Sequence, residues 1–120
     1  IQMAMVREVW DLLDRGVASA EDIDAAVRGS LGFRLAAIGP LAVCDFAGLD
    51  IWAKVFDNLA GEISANQQIP TTIRTLIDNE HYGTKSGRGF FNYSDENTLK
   101  ARTDARDRGF LEILKLFHSG

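Results

Sequence analysis

GLDIWAKVFDNLAG, residues 48–61, is a helix by its spacing. Ile51, Trp52, Val55, Phe56 and Leu59 recur at steps of one, three and four, which gathers them on one helical face and rules out a strand's alternation. Asp50 is expected to cap this helix and Gly61 to end it. Upstream, Gly39-Pro40 breaks the chain and puts proline in a first-turn position, and Leu41, Val43, Cys44 and Phe46 follow in a short run closed by Gly48. Nearer the start, Val6, Val9, Trp10 and Leu13 mark an amphipathic helix with Arg7, Asp11, Asp14 and Arg15 on its other side. Gly16 stops it and Ser19 opens a short helix bearing Ile23, Ala26 and Val27, which Gly29 and Gly32 are expected to end. Downstream, residues 62–70 read as a connection, and Ile73, Leu76 and Ile77 mark a further stripe. Tyr82 to Tyr93 reads as a turn-rich loop whose Phe90, Phe91 and Tyr93 plug the core. Ser94 or Asp95 caps a last helix, charged at first with an Asp104–Arg108 pair, then striped by Phe110, Ile113, Leu114 and Phe117. No stretch reads as a strand. The expected fold is all-α, a compact bundle of five to six helices around one core.

The 120 residues are 46% hydrophobic and 25% charged, which suits one globular domain. Such a chain is expected to bury roughly two thirds of its unfolded surface. A net charge of −4 argues against nucleic acid, which needs a cationic stripe. Apolar runs fall short of the ~20 residues of a membrane span. The single cysteine, Cys44, forms no internal disulfide, which fits a reducing, cytoplasmic setting, and two scattered histidines make no zinc site. Charges at Arg7, Glu8 and Asp11 leave no secretory pattern at the start, and no helix-start residue precedes the first apolar one. The chain is therefore expected to be a piece of a longer polypeptide.

Few residues invite a chemical role. Gly87-Arg88-Gly89 lacks the third glycine and the preceding strand of a dinucleotide fingerprint. Lys85 and Arg88 could meet an anion, and Arg34 is expected to pair with Asp45. His81 suits a helix C-terminus, His118 has nothing nearby to tune it, and Cys44 sits among apolar residues as an inert thiol. No catalytic constellation emerges from spacing. The apolar stripes, anchored by Trp10 and Trp52, either form internal core or leave a face for another subunit or the rest of the polypeptide.

Three stretches in order carry a resemblance: RGVASAEDIDAAV at 15–27, GPLAVCDFAGLDIW at 39–52 and KSGRGFFNY at 85–93. Together they resemble the C-terminal helical domain of NAD-dependent 3-hydroxyacyl-CoA dehydrogenases. In that family a helix ends in R-G before S-x-E-D-I-D, a G-P-[FL] segment leads to D-x-x-G-L-D, and K-T-G-x-G-F-Y closes the domain. Ser86 and Phe91 depart from the closing motif, and both changes keep its size or aromatic character.

The resemblance implies a fold like the C-terminal domain of 6-phosphogluconate dehydrogenase, with 1–94 as the domain and 95–120 as its helical extension. It implies an N-terminal Rossmann domain that binds NAD and carries a catalytic His–Glu pair and a serine. The family's active-site asparagine aligns two positions before Ile1, so no catalytic or cofactor-binding residue carries over onto this chain. There remains one wall of a substrate cleft, placed on Phe33, Arg34, Gly39 and Pro40, and a homodimer interface placed on Val6, Trp10 and Trp52. The implied substrate is an acyl-CoA. Arg34 keeps open a relative that oxidises a non-CoA hydroxy acid. A stand-alone helical dimerisation module is the third reading.

Overall fold

The computed structural model describes residues 1–119. Its helices are α1 (Gln2–Asp14), α2 (Ala20–Val27), α3 (Phe33–Ala37), α4 (Pro40–Ala47), α5 (Leu49–Leu59), α6 (Thr71–Asp78) and α7 (Glu96–Ser119). A π-helical stretch, Arg28–Gly32, joins α2 to α3, so they run on as one rod, Ala20–Ala37. Six rods result, and no strand forms among the described residues beyond isolated bridges at Gly83–Arg88 and Arg88–Asn92. The all-α expectation holds. No single described helix is long and apolar enough to cross a membrane. Contacts gather the chain into two units, residues 1–73 and 74–120.

In the first unit, Gly16 takes φ +70°, and the N–H groups of Gly16 and Val17 return to Leu13 and Leu12 to close α1. Ser19 caps α2 by accepting from the Asp22 N–H at 3.1 Å. Gly29 and Gly32 do not end that helix; they lie within the π turn instead. Extended backbone at Ile38 and Gly39 then bends the chain by 99° into α4, with Pro40 in its first turn. Gly48, at φ +102° and ψ +124°, hinges α4 to α5. Asp50 does not cap α5, because the helix starts at Leu49 and leaves Asp50 inside its first turn.

The polar side of α1 is a clip. The Ser64 N–H donates to Glu8 at 2.8 Å, the Asn66 amide to Asp11 at 3.1 Å, and the Thr72 N–H to Asp14 at 2.9 Å. Three carboxylates three residues apart thus hold the 64–72 segment along α1. Asp11 is consequently only 13% exposed, and Ser64 is buried. The apolar counterpart is thin: Val43 and Ile73 are the buried hydrophobic residues among those described.

In the second unit, α6 ends in a Schellman arrangement, with Glu80 N–H to Ile77 and His81 N–H to Leu76. Glu80 fills the left-handed position at φ +60°, where glycine is usual. Asp95, rather than Ser94, caps α7, accepting from the Thr98 hydroxyl at 2.6 Å and the Asn97 N–H at 3.3 Å. Asp104 pairs with Lys100 at 3.5 Å and not with Arg108.

The Thr72 backbone N–H, and then its hydroxyl, hold the Asp14 carboxyl below its ordinary pKa. Its folded pKa lies under its unfolded one. The contribution is therefore present above the ordinary carboxylate pKa near ~4 and is lost as pH falls through the folded value. Asp14→Asn should lower the urea midpoint at pH 7 and shrink the drop between pH 7 and pH 3. An unchanged drop would remove Asp14 from the clip.

Candidate functional site

The four residues expected to line the substrate wall lie on one elbow. Phe33 and Arg34 open α3 directly after the π stretch, and Gly39 and Pro40 form the 99° corner that follows. Phe33 is 62% exposed. Arg34 does not reach the corner. Its Nε donates to the Ser30 carbonyl at 3.1 Å, so the side chain runs back along its own helix, as helical side chains tend to do. The expected Arg34–Asp45 pair is absent from the ion pairs of the described residues, since Asp45 lies beyond the bend in α4. The NH1 and NH2 edge of the guanidinium is therefore left exposed and without a partner among the described residues.

The π stretch was not legible, yet it sets where Phe33 and Arg34 point. Ser30 Oγ donates to the Ala26 carbonyl at 2.6 Å, and a Cβ at Gly32 would stand 3.0 Å from the Val27 carbonyl oxygen. A widened turn inside a helix is a frequent companion of functional sites. The available signal was apolar spacing at Val27, Leu31 and Leu35 continuing through both glycines.

The residues assigned to the dimer face separate into two places. Val6 and Trp10, half-buried, line a cavity of about 340 Å³ with Met3, Arg7, Ile69 and Pro70, and Trp52 is not among its walls. Trp52 stands on α5, 41% exposed, beside Phe56 at 64%. The chain as a whole exposes 9575 Å². A folded monomer of its mass exposes about 6,400 Å², and its unfolded chain about 19,000 Å². It therefore buries about half of its unfolded surface instead of the expected two thirds. The stripes of α5 and α7 are uncovered surface.

The 82–93 loop turns on Ser86. Its hydroxyl accepts from the Tyr82 N–H at 2.8 Å and lies 3.2 and 3.0 Å from the carbonyls of Gly83 and Arg88. Any hydroxyl residue fits this role, which explains serine in place of the family's threonine. Gly83 and Gly87 have positive φ, and a Cβ at Gly89 would lie 2.8 Å from the Gly83 Cα. The aromatic residues are not core plugs. Phe90 is exposed, while the half-buried Phe91 and Tyr93 hold the Arg102 guanidinium of α7 at 5.6 and 5.5 Å from their ring centres. Lys85 lies over the Tyr82 ring at 5.6 Å. Cys44 is a half-buried free thiol, and no metal-ligand cluster occurs among the described residues.

Residues 1–93 match the family model described as 3-hydroxyacyl-CoA dehydrogenase, C-terminal domain. The chain is 35% identical over 113 residues to 5-formyl-3-hydroxy-2-methylpyridine 4-carboxylate 5-dehydrogenase of Mesorhizobium japonicum, covering 94% of this chain and 36% of that protein. It is 33% identical over 89 residues to the human mitochondrial hydroxyacyl-coenzyme A dehydrogenase, covering 72% of this chain and 27% of that one. A crystal structure of a 5-formyl-3-hydroxy-2-methylpyridine 4-carboxylic acid 5-dehydrogenase, described as an NAD+ dependent dismutase, superposes with a TM-score of 0.91 at 35% identity. That superposition covers 96% of this chain and 37% of that chain. The chain thus spans little more than a third of the relative it matches over most of its length.

The close approach at Gly89 gives a direct test of the loop. Gly89→Ala should cost roughly 2 kcal/mol and lower the Tm by about 8 °C or more. Gly61→Ala, with nothing within 4 Å of the added Cβ, should leave the Tm within a degree or two. Equal melting curves by circular dichroism would mean that the loop is not built on this contact.

Proposed function

Because this chain belongs to the family of 3-hydroxyacyl-CoA dehydrogenase C-terminal domains, we propose that it is the helical half of an NAD-dependent oxidoreductase acting on a CH–OH or related carbonyl group. In this reading an N-terminal Rossmann domain holds NAD, and this chain closes the substrate cleft, excludes water and carries the two-fold contact of a homodimer. The observation that supports it is the uncovered apolar surface. Phe46, Leu49, Phe56, Phe110 and Phe117 are each more than half exposed, the kind of surface that subunits and domains bury. The Phe33–Pro40 elbow is the cleft wall. Val6 and Trp10 at the α1 cavity, and Trp52 on α5, are the subunit face.

The family description favours a 3-hydroxyacyl-CoA ester as substrate. A small substrate with a free carboxylate is the second reading, favoured by the unpartnered NH1 and NH2 edge of Arg34, whose fork geometry matches a carboxylate. The name of the Mesorhizobium japonicum relative, which aligns over nearly the whole chain, points the same way.

Three experiments test these assignments. The 120-residue chain alone should bind no NAD and form no NADH from acyl-CoA and NAD; growth of NADH absorbance would overturn the division of labour. In the complete polypeptide, Arg34→Gln should raise KM at least 10-fold for a carboxylate substrate and leave KM for a 3-hydroxyacyl-CoA unchanged. An unchanged carboxylate KM would remove the second reading. Trp52→Glu, at an exposed position, should weaken self-association by at least 10-fold in sedimentation without loss of helicity. A dimer as tight as before would take Trp52 off the subunit face.

A further inference from the structure

Met3, Val6, Arg7 and Trp10 recur at i, i+3, i+4 and i+7, so they share one face of α1. With the 66–70 stretch they wall the cavity of about 340 Å³. The wall opposite α1 is held from both sides. Ser64 and Asn66 are bonded to Glu8 and Asp11 at one end of it, and Thr72 to Asp14 at the other. The cavity is thus built into the chain. No carboxylate is among its walls. Its cation, Arg7, has no hydrogen bond or ion pair from its guanidinium among the described residues, since Asp11 pairs with Arg15 at 3.2 Å and Glu8 accepts from Ser64. The N–H groups of Gln67, Gln68 and Ile69 also meet no acceptor among the described residues.

We propose that this cavity binds a small aromatic monocarboxylate. The Arg7 guanidinium supplies a planar fork for the carboxylate. The Trp10 indole, with Met3, Ile69 and Pro70, covers an apolar ring. Size sets the upper limit. A volume of about 340 Å³ lies at the low end of small-molecule sites, with room for one or two rings and not for a dinucleotide or a CoA ester. Charge sets the rest. One arginine among neutral amides balances one negative charge, whereas the near-double charge of a phosphate monoester would stay partly unpaired against apolar walls. The cavity shares no wall with the Phe33–Pro40 elbow, so the proposal does not rest on Arg34. Val6 and Trp10 also border the proposed subunit face, and a second copy meeting that face would close the cavity over its occupant.

NMR titration of the 120-residue chain tests the site. With Trp52→Phe, Trp10 gives the only indole N–H signal. 4-Methylbenzoate should shift that signal saturably and bind roughly 10-fold or more tightly than the uncharged 4-methylbenzamide. Arg7→Gln should bring the two affinities together, with the melting curve unchanged because the guanidinium makes no bond to the rest of the described chain. Arg34→Gln should leave the preference for the carboxylate in place. A shift that never saturates, equal affinities in the parent chain, or a preference that survives Arg7→Gln overturns the site. Loss of the preference in Arg34→Gln moves the carboxylate to the elbow and overturns it as well. The cleft and subunit readings are tested separately, by KM in the complete polypeptide and by sedimentation of Trp52→Glu.

Discussion

The 64–72 segment carries no apolar stripe of its own, and what fixes it is a row of charge. Glu8, Asp11 and Asp14 each take a hydrogen bond from it, two of them from backbone N–H groups. Bonds to a charged acceptor are shorter and stronger than bonds between neutral groups. The Thr72 bond also places a carboxylate at the first turn of α6, where the helix dipole favours negative charge. This row therefore sets both the start of α6 and the floor of the cavity at Met3, Arg7 and Trp10. Without it, the segment between α5 and α6 would be a free connection.

A polar clip matters more here because the apolar side is unfinished. Val43 and Ile73 are buried, while Trp52, Phe56 and the α7 stripe stay open to water. An ordinary domain does not leave that surface wet. The local devices are complete all the same: Ser19 caps α2, Asp95 caps α7, and Gly16 closes α1. Each helix is specified in itself, while the apolar stripes of α5 and α7 stay open among the described residues.

That division explains what could be read from the residues. Helix starts and stops depend on neighbours three or four positions away, so Ser19, Gly16 and Pro40 were legible. The clip was not, because Glu8 and Ser64 lie 56 residues apart and Asp14 and Thr72 lie 58 apart. Acidic residues opposite an apolar stripe carry the same pattern whether they face water or another backbone. Glycine was ambiguous for a related reason. Gly16 and Gly48 take positive φ and end helices, but Gly32 keeps helical angles and spares the Val27 carbonyl a Cβ. Glu80 shows the converse, a left-handed position occupied by a residue that gives no sign of it.

The candidate site follows the same logic. Phe33, Arg34, Gly39 and Pro40 were placed together by the family resemblance, but their positions differ in space. Gly39 and Pro40 make the bend, Phe33 is the apolar side chain beside it, and Arg34 turns back toward Ser30. One nitrogen holding the guanidinium to its own helix fixes its plane and leaves a two-pronged edge free. A pre-placed fork loses less entropy on meeting a planar anion than a freely rotating one does. The π turn is what puts that fork there. Had α2 ended at Gly29, as the glycines suggest, Arg34 would sit on a loop with no neighbouring carbonyl to hold it. In the proposed reading, specificity at this elbow rests on the widened turn as much as on the arginine itself.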